Sequence, residues 1–559
     1  MTAPLRAADF AAGLGVNAPL ANLNSASRAG QAVAAMDYLG FGLVRAPLTA
    51  SLLQPGSVAD RLAAAGVRFD VLLGGFRPLA DSLGTAASFA AAHPGSVAAI
   101  EGPNEINNWP ITFAGQSGTA AGIGFVDAAA AGMKAGGLAG LALYDFTGAA
   151  RSAATMADAA THANIHPYPQ AGDQPYEWLR GAAMSHAAPG KGLVITESGY
   201  TTTFGAAGFE GVDLQTQAKL TLNLIADAAL LGAEKTFLYQ LFDSPTAGTA
   251  DAGFGLFTRD GTAKPVAVAL HNLTTILHDP AADAATATVH DLAYAVSGLP
   301  AGAHTLLVEK AGGTYELMIW AEPDIWDEAA NRPIAVAGQT VTVSLGGTAR
   351  LAVYDPLASS APLATSTDST VSLTLGDHLM VVEIAGLPTG AVVAPARIDA
   401  PIQLSGSAAG DLLAGGGGDD VLSGLGGADT LHAGLGDDRL TGGSGADQLW
   451  GGGGADIFIF RTSAESTPGL AGRDTIMDFS AREGDRIDLS AIDASARALG
   501  NQAFVLSGDH FTKHAGQLIQ TVVDHQLLVQ GDLNGDGRAD FAFVLDHVDQ
   551  PLGAGAFIL

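Results

Sequence analysis

The sequence GGGGDDVLSGLGGADTLH, residues 415–432, contains two copies of a nine-residue unit with aspartate at position six and leucine at position eight. The unit recurs six times between residues 406 and 459, with leucine or phenylalanine at position eight. Glycine permits the tight turns, carboxylate and carbonyl oxygens are the ligands that Ca²⁺ prefers, and the large apolar residue faces a core. The pattern therefore predicts a calcium-binding parallel β-roll over residues 405–459, rather than a flexible glycine-rich linker.

The sixth position of each unit supplies the predicted metal ligands. They are Asp411, Asp420, Asp429, Asp438, Asp447 and Asp456. Units eighteen residues apart stack on the same side of such a roll, so Asp420 is expected to share an ion with Asp438, and Asp429 with Asp447. The first unit lacks most of the glycines, so it fits a cap as well as a complete site.

A second loop also resembles a calcium site. Asp532, Asn534, Asp536 and Asp540 follow the spacing at the start of an EF-hand loop. Position twelve is Phe543, however, and not the glutamate that would bind the ion with both oxygens. A calcium loop and a polar turn between strands therefore both remain open.

The array resembles the RTX repeats of proteins exported by bacterial type I secretion. Residues 473–479, RDTIMDF, and 484–490, GDRIDLS, resemble the C-terminal domain of serralysin-type proteins, and 557–559 resembles the apolar end of an uncleaved secretion signal. The resemblance implies a β-rich secretion domain over 460–559, the type I secretion machinery as partner, and a secreted, extracellular protein. Residues 1–16 show no charged segment followed by an apolar one, as expected for export that does not use the N-terminus.

Composition narrows the class of partner. The chain has 559 residues, which favours two to four domains, and a formal charge of −30. Nucleic acids and anionic lipid surfaces require clustered positive charge, so neither is an expected partner. No apolar run is long enough to span a membrane, and the absence of cysteine excludes disulfides and thiolate metal sites. Nothing in the composition indicates an oligomeric state.

Residues 1–279 have the pattern of a (β/α)8 TIM barrel. Short apolar strands alternate with alanine-rich helical stretches, and eight strands within about 265 residues fit that fold, although an open doubly wound sheet would also alternate in this way. In the last helix before strand eight, Ala218, Leu222, Ile225 and Ala229 form one apolar face. The predicted strands are centred on residues 15–17, 42–45, 69–72, 97–100, 138–143, 163–166, 193–196 and 236–239.

The pattern changes after the barrel. Residues 280–386 contain strand patterns alone, which predict a β-sandwich. Residues 387–404 contain Pro388, Pro395 and Pro401 and little periodicity, so they read as a linker before the β-roll. The predicted order is barrel, sandwich, linker, roll and secretion domain.

Two glutamates stand where a TIM barrel builds its active site, at the carboxyl ends of strands. Asn104-Glu105 follows the fourth strand, and Glu197 ends the seventh. This pairing resembles clan A retaining glycoside hydrolases, especially families 39 and 5. The resemblance implies that Glu105 is the general acid/base, that Glu197 is the nucleophile, and that Asn104 contacts the sugar 2-hydroxyl. The acid is expected to have a raised pKa while Glu197 stays ionised.

Six further residues are candidates for substrate binding. His166, Tyr168 and Arg45 match positions near the nucleophile in the same clan, Trp109 and Tyr239 could stack on sugar rings, and Asn17 stands where histidine is common. For His166 and Arg45 a packing role is an equal reading, and the two aromatic residues fit a core equally well. Tyr239 stands where many relatives have tryptophan, so the sugar is not implied.

Together these features predict a secreted retaining β-glycoside hydrolase that acts on an extracellular or cell-surface polysaccharide. Calcium is expected as a structural cofactor, and none is expected for catalysis. A non-catalytic carbohydrate-binding or biofilm matrix protein is the main alternative. A polysaccharide lyase is a further one, although lyases usually abstract a proton with tyrosine, histidine or lysine.

Overall fold

The structure is a computed structural model of the chain. It describes residues 4–559 except 75–76, 149–155, 171, 187–190, 207–208, 282–283, 285, 288, 290–291, 293, 301, 387–402, 409, 496, 498–499 and 524–525. The predicted linker therefore lies almost entirely outside the described residues.

Eight parallel strands close into a barrel, which confirms the predicted fold. Each barrel strand pairs with the next one along the chain, and the eighth pairs with the first. The fifth strand is shorter than expected, because residues 138–141 form the turn that leads into it. The strands are β1 (Leu14–Asn17), β2 (Leu43–Ala46), β3 (Arg68–Leu72), β4 (Val97–Glu101), β5 (Ala142–Tyr144), β6 (His162–Ile165), β7 (Gly192–Ser198) and β8 (Ala233–Leu238).

Helices surround the barrel and bury its outer surface. In the seventh helix Ala218, Leu222 and Ile225 are buried, as the apolar face predicted, and Gly232 follows the helix end with φ +80°. The helices are α1 (Ala7–Gly13), α2 (Ala26–Leu39), α3 (Val58–Ala64), α4 (Leu79–Ala92), α5 (Gly118–Ala135), α6 (Pro175–His186), α7 (Leu214–Leu230) and α8 (Pro265–Ile276).

An antiparallel sheet follows the barrel. Its long strand, β12 (Gln339–Tyr354), pairs with β9 (Tyr294–Ser297) through residues 342–345 and with β14 (Met380–Ala385) through residues 350–354. The sheet therefore folds between these two segments of β12 and encloses one core. The segment Leu5–Arg6 adds a parallel edge strand beside β10. The strands are β9 (Tyr294–Ser297), β10 (Ala303–Lys310), β11 (Thr314–Ala321), β12 (Gln339–Tyr354), β13 (Ala364–Leu375) and β14 (Met380–Ala385).

Strict alternation along these strands explains how the sheet packs on the barrel. In β11, Met318 and Trp320 belong to the barrel's apolar cluster, whereas Leu317 and Ile319 belong to the core of the accessory sheet. Successive side chains of a strand point to opposite faces, so one strand serves two cores. The Trp320 indole also donates to Asp227 on α7 at 2.8 Å.

The repeats form the predicted parallel roll of two sheets. Leu422, Leu431, Leu440, Leu449 and Phe458, from position eight, are at most 1% exposed and face its interior. One sheet has the order β15-β17-β19-β21-β23 and the other β16-β18-β20-β22. The strands are β15 (Gln403–Ser405), β16 (Asp411–Gly417), β17 (Val421–Gly426), β18 (Thr430–Leu435), β19 (Arg439–Ser444), β20 (Gln448–Gly453), β21 (Ile457–Ile459), β22 (Thr475–Ile476) and β23 (Arg486–Asp488).

The roll continues the accessory sheet on one side and the terminal domain on the other. Strand β9 pairs antiparallel with β16. At the far end β22 pairs with β27, and β23 pairs with β28, where Phe557 is buried. The last strands are β24 (Val505–Leu506), β25 (Gln517–Val523), β26 (Gln526–Asp532), β27 (Phe541–Leu545) and β28 (Phe557–Ile558). Across the described chain, no helix combines the length and apolarity needed to cross a membrane.

A charged cluster joins the barrel to the accessory sheet. Lys219 on α7 contacts Asp377 at 2.5 Å, and His378 contacts Asp377 at 2.9 Å and Asp355 at 3.0 Å. Although burial by itself lowers the pKa of His378, its hydrogen bonds to the two aspartates raise that pKa to about 9. The cluster therefore holds a protonated histidine at neutral pH.

The raised pKa predicts a pH-dependent stability. A histidine whose folded-state pKa exceeds its unfolded value stabilises fully below pH ~6.5, and that contribution, ~3 kcal/mol at most, is lost as pH rises through about 9. The unfolding midpoint of the wild type should thus fall more between pH 7 and pH 10 than that of His378→Gln, measured by calorimetry. Parallel pH profiles for the two proteins would contradict this assignment.

Candidate functional site

Glu105 and Glu197 lie at the carboxyl end of the barrel, where the sequence placed them. Glu197 lies within β7, and Glu105 follows β4 with φ +40°. Left-handed backbone is unfavourable for a non-glycine residue, and here the Glu105 amide donates to Thr147 Oγ1 at 2.8 Å, which fixes the turn. Strand ends and this turn hold both carboxylates on the same face.

The two carboxylates are close together. An oxygen of Glu105, an oxygen of Glu197 and a nitrogen of His166 all lie within 4.8 Å of one another. Retaining glycosidases hold their two carboxyl groups roughly 5 to 5.5 Å apart, whereas inverting enzymes leave room for a water molecule between them. The short separation suits direct attack by one carboxylate.

Arg45, on β2, is the centre of the site. Its guanidinium makes two hydrogen bonds to Glu101, at 2.5 and 2.7 Å, and one to Glu197 Oε1 at 2.5 Å. It also donates to Asn17 Oδ1 and to Asn104 Oδ1, each at 2.8 Å. Although burial opposes its charge, Glu101 and Glu197 raise the pKa of Arg45, so the group is a fixed cation.

Glu101 is the residue that sequence reasoning missed. It is fully buried and accepts a hydrogen bond from Asn164 Nδ2 at 2.9 Å in addition to those from Arg45, and Thr196 Oγ1 lies 3.1 Å away. Burial by itself would raise the pKa of Glu101, but Arg45 lowers it below the usual value. The available signal was a glutamate at the last position of β4, four residues before Glu105.

Tyr168 contacts the other oxygen of Glu197. Its hydroxyl donates to Oε2 at 2.9 Å, and burial followed by the Glu197 charge raises the Tyr168 pKa well above its usual range. The ring packs edge-on against Phe209 and Tyr239, with centroids 5.5 and 6.3 Å away. Glu197 thus has a hydrogen-bond donor on each oxygen.

One ring nitrogen of His166 contacts a barrel strand, and the other contacts Glu105. Its Nε2 lies 2.9 Å from Thr196 Oγ1, whose single hydrogen points to Asn164 Oδ1 at 2.7 Å or to Glu101. The hydroxyl oxygen therefore accepts from Nε2–H. Nδ1 lies 3.3 Å from Glu105 Oε1, so these two atoms share one proton.

The expected direction for the Glu105 pKa was wrong. The hydrogen bond from His166 lowers the pKa of Glu105, and the smaller effect of its burial, which raises it, does not compensate. The sequence could not show this, because the effect depends on which histidine nitrogen reaches the carboxylate.

The two predicted aromatic contacts flank the pair. Trp109 is 56% exposed in the loop after β4, and its backbone amide donates to the Glu105 carbonyl at 2.8 Å. Tyr239 follows β8 and is half-buried; burial, together with the charges of Asp251 and Glu197, raises its pKa. Tyr239 lies edge-on to Tyr168, beside Glu197, whereas Trp109 is connected to the pair through its backbone.

Glu105, His166 and Glu197 also have the composition of a metal site. The Arg45 guanidinium, however, lies 2.5 Å from Glu197 Oε1. A divalent ion would be repelled by this buried cation, and the other oxygen of Glu197, Oε2, already accepts from the Tyr168 hydroxyl. The arrangement therefore favours acid–base chemistry over metal binding.

The repeat aspartates form two ladders, one on each side of the roll. The amides of Asp411, Asp420, Asp429 and Asp438 each donate to Oδ1 of the aspartate eighteen residues later, at 2.7 to 3.0 Å. Buried Oδ2 atoms of Asp429, Asp438, Asp447 and Asp456 have no hydrogen-bond donor among the described residues. Buried unpaired carboxylate oxygens are costly and suit a cation, so these residues fit Ca²⁺.

The ladders extend beyond the six predicted aspartates. Asp474 Oδ1 accepts the amide of Asp447, and Asp485 Oδ1 accepts the amide of Asp456, each at 3.0 Å. Asp474 also has an unpaired buried Oδ2. Sequence spacing missed both residues because they follow their neighbours by 27 and 29 positions instead of eighteen.

The EF-hand-like segment is a compact turn between β26 and β27. Asp532 accepts the amides of Gly535 and Gly537 at 2.6 and 2.8 Å, and Asp540 accepts the amide and side chain of Asn534. Internal donors use these carboxylates, as the polar-turn reading requires. The calcium reading of this loop stays untested.

Leu425 occupies a position where the following repeats have glycine. Its φ is +74°, and the equivalent Gly434, Gly443 and Gly452 have φ between +94° and +114°. Such a backbone costs a side-chain-bearing residue ~1–2 kcal/mol, and Leu425 is 54% exposed, so packing returns little of that cost.

Leu425→Gly should therefore stabilise the roll, by ~0.5 kcal/mol after the entropy of glycine is included. The measurement is denaturant unfolding of the C-terminal region in calcium. Leu470→Gly is the matched control, since Leu470 is 82% exposed without positive φ and its replacement should destabilise. Equal losses in both variants would show that Leu425 is unstrained.

The C-terminal part of the chain matches a known protein family. Residues 413–559 match the family model of the peptidase M10 serralysin C terminal. This match confirms the serralysin-type resemblance for that part of the chain. No protein with a curated description matches the sequence.

Several solved structures resemble parts of the chain. A family 39 glycoside hydrolase from Bacteroides cellulosilyticus WH2 has a TM-score of 0.46 at 15% identity, covering 68% of this chain and 82% of that one. A monomeric β-xylosidase from Caulobacter crescentus CB15 has a TM-score of 0.45 at 16% identity, covering 69% and 98%. The AlgE6R2 subunit of the Azotobacter vinelandii mannuronan C5-epimerase has a TM-score of 0.21 at 28% identity, covering 29% and 92%. Similarities with such low TM-scores do not show which reaction this chain catalyses, because a reaction depends on the side chains at the site.

Proposed function

We propose that this protein is a secreted retaining β-glycoside hydrolase acting on an extracellular or cell-surface polysaccharide. The observation that carries the proposal is the paired arrangement of Glu105 and Glu197. Glu197 has a hydrogen-bond donor on each oxygen, and Glu105 shares a proton with His166. The two groups thus differ in their hydrogen-bond partners, because Glu197 is held by two donors and Glu105 contacts a histidine with which it can exchange a proton.

Glu197 is assigned as the nucleophile. Arg45 and Tyr168 each donate a hydrogen bond to one of its oxygens, and these bonds orient the carboxylate. In the first step an oxygen of Glu197 bonds to the anomeric carbon, the glycosidic bond breaks, and the leaving oxygen takes a proton from Glu105. The product is a glycosyl ester of Glu197.

Glu105 is assigned as the acid and then the base. Its side chain is 24% exposed against 10% for Glu197, so it can reach the leaving group and afterwards a water molecule. His166 Nδ1 provides the proton that Glu105 must carry when it acts as the acid. In the second step Glu105 takes a proton from water, whose oxygen replaces Glu197 at the anomeric carbon.

The C-terminal part supports export. The serralysin-type segment, 413–559, and the aspartate ladders are consistent with a type I secreted protein that binds calcium outside the cell. We assign the calcium ligands to the six predicted aspartates together with Asp474 and Asp485. Bound calcium would neutralise the buried carboxylates and so stabilise the roll.

The catalytic assignment predicts the loss of activity in two variants. Glu105→Gln and Glu197→Gln should each reduce the release of reducing ends from a cleaved polysaccharide by ~10³-fold or more. Glu177→Gln is the matched control, because Glu177 is 70% exposed and forms its ion pair with Arg180 in the same helix. Azide should restore turnover of an activated aryl glycoside to Glu105→Ala, since the small anion can attack the glycosyl ester without a base.

Two outcomes would support the alternatives. Binding of a polysaccharide without release of reducing ends, in wild type and variants alike, would indicate the carbohydrate-binding or matrix protein. Products with ultraviolet absorbance from a new double bond would indicate a lyase. Full hydrolysis by Glu197→Gln would refute the proposed mechanism.

The calcium assignment predicts a thermal shift. Calcium should raise the unfolding temperature of the C-terminal region, because the ion binds only the folded ladders. The double variant Asp474→Asn/Asp485→Asn should show a smaller rise, whereas Asp509→Asn, whose side chain is 84% exposed, should match the wild type. A transition that is unchanged by calcium or by a chelator would contradict the assignment.

A further inference from the structure

A loop from the accessory sheet reaches the carboxyl end of the barrel. Its strand pair Trp326–Asp327 and Arg332–Pro333 lies beyond the end of β11. The Gln174 side-chain nitrogen Nε2 donates to the Pro323 carbonyl at 2.7 Å. A Cβ on Gly172 would lie 2.5 Å from Trp326, so the loop after β6 packs directly on this indole.

Trp326 supports an exposed phenylalanine. It is itself only 4% exposed, and Phe204 stacks on it with ring centroids 6.2 Å apart and planes 21° from parallel. Phe204 comes from the loop after β7 and is 51% exposed. A large apolar side chain held in this way by a second domain presents a flat face to the solvent.

The same loop leads back to the proposed nucleophile. Phe209 packs edge-on against Tyr168, with centroids 5.5 Å apart, and Tyr168 donates to Glu197. Phe204 therefore lies in the same connection between β7 and α7 as Phe209, five positions before it in sequence. A glycan bound across Glu197 and extending outward along this loop would meet Phe204.

The charges around this face are negative. The pKa of Glu328 is raised by its slight burial and by the negative charges of Asp173, Glu210 and Asp324. The nearby Arg332 is paired with Asp327 at 3.3 Å. An anionic uronate would be repelled here, whereas carboxylates accept hydrogen bonds from the hydroxyls of an uncharged sugar.

We propose that Phe204, supported by Trp326, is a distal subsite that stacks on an uncharged pyranose ring of the polysaccharide chain. This inference rests on the proposed glycosidase function and specifies its substrate as a polymer of uncharged sugars that crosses the junction of the two domains. The accessory sheet thereby has a role in substrate binding.

The test compares two substrate lengths from the neutral polysaccharide that the wild type cleaves. Phe204→Ala should raise KM for the tetrasaccharide ~5- to 10-fold relative to KM for the 4-nitrophenyl monosaccharide, since stacking contributes ~1 kcal/mol. Phe204→Tyr should restore the wild-type ratio. Leu214→Ala, at the first residue of α7 and 44% exposed, is the control and should leave the ratio unchanged.

An unchanged ratio in Phe204→Ala, or a wild type that cleaves only uronate polymers, would overturn the subsite while leaving the glycosidase intact. If the wild type cleaves nothing, the glycosidase proposal fails by itself. Affinity electrophoresis with neutral polysaccharides then tests the subsite: weaker retardation of Phe204→Ala than of Leu214→Ala supports it, and equal retardation overturns it.

Discussion

The buried guanidinium of Arg45 is the interaction on which the site depends. A cation inside a barrel is costly unless it is fully paired, and here acceptors come from β1, from β4 and the turn after it, and from β7. Of the two carboxylates, Glu101 accepts two hydrogen bonds from the guanidinium and Glu197 accepts one. Because one group contacts all of these elements, the position of the proposed nucleophile is coupled to the closure of the barrel.

Much of this arrangement was predictable, because strand ends and repeat spacing are encoded locally. The barrel, the roll and the proximity of Glu105 to Glu197 followed from them. Glu101 was not predictable, since strand alternation does not show which of two nearby glutamates turns into the barrel. Nor was the low pKa of Glu105, which depends on a histidine 61 positions away in sequence. Asp474 and Asp485 escaped notice because longer loops break the nine-residue period.

The domains are more closely joined than their sequence patterns indicate. Proline-rich residues suggested a separating linker, yet β9 and β16 are neighbours in one sheet. Alternation along β11 lets a single strand serve the barrel and the accessory core. Calcium that stabilises the roll would thereby stabilise the edge of the accessory sheet, and the loop that supports Phe204 belongs to that same sheet region. Shared strands thus connect the barrel, the accessory sheet and the roll.

The central claim is that Glu197 forms a covalent bond to the sugar. The most direct measurement is mass spectrometry of peptides after incubation with activated 2-deoxy-2-fluoro glycosides, which slow the breakdown of a glycosyl ester. The account predicts a fluoroglycosyl adduct on Glu197 and none after denaturation of the protein beforehand. An adduct on another carboxylate, or no adduct in a protein that hydrolyses the matching unfluorinated glycoside, would contradict it.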